Sequence, residues 1–67
     1  ELLLESYQPD EQTVLKVLIA NNNQLMIDEL SWRAGLSIAK LASLLLNLEF
    51  KGVISPLPGK IYKLLKI

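Results

Sequence analysis

At 67 residues, 51% of them apolar, the chain has room for one small domain near the lower limit for a single stable core. It has no cysteine and no histidine, which excludes a disulfide framework, a Cys-based zinc site, and the commonest metal ligand and general base. The zero net charge hides an asymmetry: residues 1–34 carry two basic against six acidic groups (net −4), and residues 35–67 carry five lysines against Glu49 (net +4).

The chain opens without Met and reads as a piece of a longer protein. Leu2-Leu3-Leu4 has no clear period, so residues 1–8 read as a linker or N-terminal extension and 9–67 as the domain. Pro9 suits the first turn of a helix, and Asp10 and Glu11 favour its positive end. Val14, Val17 and Leu18, with Leu15 at the margin, make an apolar face that predicts a helix over about 9–20, ended by Asn21-Asn22-Asn23. Leu25-Met26-Ile27 suits a brief strand. Asp28 is the expected N-cap of a second helix over roughly 28–34, with Leu30 and Ala34 on one face and Gly35 ending it in the left-handed conformation. Leu36 should turn back into the core, and Ser37 should cap a third helix over roughly 37–51, stopped by Gly52. Val53-Ile54-Ser55 and Ile61-Tyr62-Lys63-Leu64 flank a Pro/Gly turn and predict a hairpin whose prolines keep it at an edge.

This order predicts a mainly α domain: a winged helix-turn-helix of three helices plus a C-terminal β-hairpin wing. The alternative is a plain three-helix bundle with a disordered tail, but Tyr62 and Leu64 alternating with Ile61 and Lys63 favour the hairpin.

Wound as a helix, residues 37–51 gather Lys40, Ser43, Asn47 and Lys51 into one polar stripe, with apolar residues on most of the remaining circumference. As a DNA-reading face, the stripe offers lysines for phosphate or guanine, Asn47 for the edge of adenine, and Ser43 for either. Equally, it is the solvated edge of a deeply buried helix. Lys60, Lys63 and Lys66 on the wing suit phosphate contacts without sequence preference, or serve as ordinary solubilising charge on an edge hairpin. Tyr62 reads as core rather than as a base-stacking platform.

An apolar arc this wide exceeds what one packing partner covers. Leu46 and Phe50 therefore pack on the first helix, the N-terminal segment or another chain. Trp32, projecting away from Leu30 and Ala34, lies against residues 1–7 or anchors an interface. Without His or Cys, nucleophile–base sets shrink to Ser/Lys or carboxylate pairs. The acidic pairs at helix starts are explained by capping and dipole effects. An enzyme is not expected, nor a cofactor, a metal or a small-molecule ligand. No apolar run approaches the roughly 20 residues that span a membrane, and no basic-then-apolar leader is visible, so a cytoplasmic protein is expected.

Ile27-Asp28-Glu29-Leu30, Ala34-Gly35-Leu36-Ser37, the run from Leu44 to Val53 containing Leu48-Glu49-Phe50-Lys51-Gly52, and Leu57-Pro58-Gly59-Lys60-Ile61-Tyr62 together resemble the C-terminal winged-helix domain of the DprA/Smf family. The likeness spans about residues 9–64. It implies a bacterial parent protein whose Rossmann-like domain binds single-stranded DNA, dimerises and helps load RecA during natural transformation, with this winged helix as an accessory module. Residue-level correspondence covers the scaffold: Asp28, Gly35, Gly52, Pro58, Gly59 and Tyr62. The resulting expectation is weak, sequence-independent DNA binding through Lys40, Ser43, Asn47, Lys51, Lys60 and Lys63. The alternative is a protein-interaction module that uses Trp32, Leu46 and Phe50 to contact the parent's Rossmann-like domain, RecA or a second copy.

Overall fold

In the computed structural model, which describes residues 6–65, Pro9 opens the first helix, α1 (Pro9–Ala20). Glu11, three residues past the N-cap Gln8, turns back to accept the Gln8 backbone N–H at 3.1 Å, satisfying one donor that would otherwise lack a partner at the helix start. Asn22 and Asn23 end α1 with φ of 64° and 68°, left-handed values that Asn tolerates better than most side chains. Strand β1 (Gln24–Met26) then runs directly into α2 (Ile27–Ala34).

The start of α2 differs from expectation. Met26 is the N-cap and Asp28 lies inside the first turn, making no side-chain capping bond. The reason is long-range. The Ile27 N–H donates to the Lys60 carbonyl at 2.9 Å, so the wing holds this helix start from outside the local sequence. Asp28 keeps a favourable dipole position.

The turn between α2 and α3 (Ile38–Phe50) matches its predicted chemistry. Gly35 adopts φ 71° and ψ 30°, and the N–H groups of Gly35 and Leu36 both donate to the Ser31 carbonyl. The Ser31 hydroxyl donates to the Leu36 carbonyl, closing the turn. Leu36 is half-buried against the core, and Ser37 caps α3 by accepting the Lys40 N–H at 3.2 Å. Beyond Lys51, Gly52 takes φ 75°, and the Val53 N–H donates to the Leu48 carbonyl, which turns the chain back inward.

Two further strands, β2 (Ile54–Leu57) and β3 (Ile61–Leu64), form the wing. The sheet is three-stranded and antiparallel, in the order β1-β3-β2. Leu25 thus pairs with Tyr62, and Tyr62 with Pro56, placing Pro56 on an edge strand where its missing N–H is tolerated. The expected hairpin is therefore completed by the brief segment before α2. Alternation along β3 sends Tyr62 and Leu64 to the core and Ile61 and Lys63 outward, with Leu64 buried and Tyr62 half-buried.

The core joins Val14, Leu15 and Leu18 of α1, Leu30 of α2, Leu41, Leu45 and Leu48 of α3, and Val53, Ile54 and Leu64 of the wing. Tyr7 packs on its edge. No described helix is long and apolar enough to cross a membrane. The Leu2-Leu3-Leu4 run and Lys66 lie outside the described residues.

Candidate interaction surface

The second helix of a helix-turn-helix presents a face to its partner, so the side chains that α3 turns outward define the candidate site. Its inward arc is Leu41, Leu45 and Leu48, with Leu44 half-buried beside them. Opposite that arc, at helical spacing, lie Ala39, Ala42, Ser43, Leu46 and Phe50. All five are exposed, Leu46 at 53% and Phe50 at 81% of their surface. The centre of the outward face is therefore an uncharged, largely apolar strip about 17 Å long. Neither Leu46 nor Phe50 is buried against α1.

The polar stripe occupies one flank of this strip. Ser43 and Asn47 are exposed, while both lysines reach back to α1. Lys40 Nζ lies 2.9 Å from Asp10 Oδ2, and Lys51 Nζ lies 3.3 Å from Glu11 Oε1. Lys51 also sits 4.8 Å above the centre of the Tyr7 ring.

The two pairs differ in energetic standing. Both partners of the Lys40–Asp10 pair are substantially exposed, and such pairs contribute about 0–1 kcal/mol, so Lys40 can leave at little cost. Glu11 is only 3% exposed. Moving Lys51 away leaves the buried Glu11 carboxylate with the Gln8 N–H as its remaining donor, and a buried acceptor that loses a partner costs more than an exposed pair does. Lys51 is thus committed to the fold. The acids Asp10 and Glu11 also bring negative charge to the flank where a phosphate would approach the lysines.

On α2, Trp32 projects outward with 76% of its surface exposed. The Arg33 guanidinium lies 5.7 Å from its ring centre while pairing with Glu29 at 2.9 Å. On the wing, Lys60 at the turn and Lys63 on the outward face of β3 are exposed, and among the described residues neither takes part in an ion pair. Lys63 stands between Gln24 and Ser55 across the sheet. One step along the same face, Met26, Ile61 and Leu57 form an apolar row across all three strands, with Met26 49% exposed. Single-strand alternation marks Ile61 alone, because the row exists only once the register is known. Asp10, Glu11 and Tyr7 were likewise invisible as partners of the stripe, since nothing local joins them to residues 40 and 51.

A glycine-turned pair of helices, a third helix behind them and a β-wing completed by the strand before α2 define a winged helix. A family model for the DprA winged helix domain matches residues 3–60, a span that includes all three helices, β1 and β2. The chain belongs to that family. Comparison with curated proteins and with solved structures finds no match.

Proposed function

We propose that this domain is a non-catalytic accessory module of a DprA-like DNA-processing protein and that it works by protein contact through the outward strip of α3. The observation that carries this reading is the exposed row Ala39–Ala42–Ser43–Leu46–Phe50, which holds no charge at the position where a groove-reading helix would present its basic and amide side chains. The engagement of Lys51 by the buried Glu11 supports it, as does the prominence of Trp32 as an aromatic anchor of the kind enriched at interfaces. The family implies a cytoplasmic bacterial parent acting in recombination and natural transformation.

A second reading keeps one specific observation. The exposed Lys60 and Lys63 suit weak, salt-sensitive contact between the wing and a DNA backbone, without base recognition by Asn47 or Ser43. Fluorescence anisotropy of labelled single- and double-stranded oligonucleotides, at low and moderate salt, separates the two. On the protein-contact reading, Lys40→Ala leaves any DNA affinity unchanged, and what affinity exists falls with Lys60→Glu and Lys63→Glu. Tight binding that is lost in Lys40→Ala would overturn it.

A further inference from the structure

The functional consequence drawn here rests on the protein-contact reading, which it deepens. We propose that residues 1–5 of this chain, Glu1-Leu2-Leu3-Leu4-Glu5, dock on the C-terminal half of the outward strip of α3. Leu4 lies on Phe50 and Leu2 on Leu46, as a cover that a protein partner must displace.

Position and reach select this occupant. The described chain begins at Ser6, and Tyr7 packs on the edge of the core with its ring centre 4.8 Å from Lys51 Nζ. Lys51 directly follows Phe50, so residues 1–5 join the described fold beside the end of the strip that carries its bulky side chains. Five residues of extended chain reach about 17 Å, enough to pass from Tyr7 over Phe50 to Leu46 one turn away. The spacing also fits. Alternate residues of an extended segment share a face about 7 Å apart, and Leu46 and Phe50 are separated by about 6 Å along the helix axis. Leu2 and Leu4 therefore meet them in register. The family match begins at residue 3, and so takes in Leu3 and Leu4 together with the three helices.

Charge decides the side of approach. Glu1 and Glu5 bracket the leucines. The flank of the strip next to α1 carries Lys40 and Lys51, whereas the opposite flank carries the exposed Glu49 beside Ala42. An acid-bracketed segment is drawn to the lysine flank, where Tyr7 already sits, and is repelled by Glu49, so Ala42 and Glu49 stay uncovered. The contact is intramolecular and needs no area of the size that joins two molecules. Burying two leucines and ordering five residues oppose each other with similar size, which keeps docked and open forms within about tenfold in population. That balance suits a cover that yields to a partner.

The chain has one phenylalanine, so its ring protons report this site without overlap. Nuclear Overhauser contacts from labelled leucine methyls of the 67-residue chain read the docking directly. The expected result is contact from Leu2 and Leu4 to the Phe50 ring, with relative intensity unchanged between about 100 μM and about 1 mM. The Leu2→Ser/Leu4→Ser variant should lose these contacts, shift the amides of residues 46–50 and keep the helical circular dichroism. Absence of the contacts overturns the inference. So do leucine contacts to Trp32 in their place, or contacts that fade on dilution, which mark a second copy as the occupant. DNA binding lost in Lys40→Ala overturns instead the protein-contact reading and leaves the Phe50 contacts standing, so the two failures are told apart.

Discussion

Lys51 Nζ lies 3.3 Å from Glu11 Oε1, tying the end of α3 to the start of α1 across 40 positions of sequence, while the same ammonium caps the face of the Tyr7 ring. Glu11 thereby serves two ends at once: it accepts the Gln8 N–H that opens α1 and neutralises the cation that closes α3. Replacing Glu11 with Ala should cost about 1–3 kcal/mol, a large share of the stability of so small a domain. Lys51→Ala should be similarly harmful, and the double variant less harmful than the sum. Urea unfolding of the four species checks this; strict additivity would show the two groups to be uncoupled.

Leu45 and Phe50, five residues apart on the same helix, should behave as opposites. Leu45 is buried at the centre of the core, so Leu45→Ala should cost about 2–5 kcal/mol and leave the domain largely unfolded. Phe50→Ala, at an outward position, should change stability by no more than about 0.5 kcal/mol. Thermal melts of the two variants check the assignment of the outward face. A strongly destabilised Phe50→Ala would place that ring in the core instead.

Gly35 carries the turn of the helix-turn-helix at φ 71°, with nothing close enough to obstruct an added Cβ. Gly35→Ala should therefore cost about 1–2 kcal/mol through backbone strain alone, and Gly35→Asn less, since Asn visits the left-handed region more readily. Denaturant midpoints of the two variants test that ranking.

Trp32 is the chain's single tryptophan, so its emission reports one site. With 76% of its surface exposed, the native chain should emit near the wavelength of the unfolded chain and be readily quenched by iodide. A blue-shifted, protected emission that reddens on unfolding would place the ring against another part of the protein.

Much of this fold was legible because its signals are local. Pro9 at a helix start, Gly35 and Gly52 at helix ends, Ser37 as a cap and the Pro/Gly wing turn all act within a few residues, and the elements fall where those residues put them. Asp28 misled for the opposite reason: the Lys60 carbonyl, reached only through the sheet, holds the start of α2. The outward face of α3 was ambiguous because apolar residues occupy most of that helix. Periodicity alone does not say which apolar arc meets the core, whereas the positions of α1 and the wing do. The width of the apolar arc singled out Leu46 and Phe50 without saying whether α1 would cover them, and the spacing of Leu30 and Ala34 turned Trp32 away from its own helix's core face. The pairing of Lys40 and Lys51 with α1 did not follow from any local pattern.

The most direct test of the account is a titration of the isotope-labelled chain with short single- and double-stranded DNA at low salt, followed by backbone amide chemical shifts. The prediction is that amides of residues 39–50 stay in place, with any small, salt-sensitive shifts confined to the wing around Lys60 and Lys63. Saturable shifts running along α3, together with loss of the Lys40–Asp10 contact, would contradict it and return the outward face of that helix to a DNA groove.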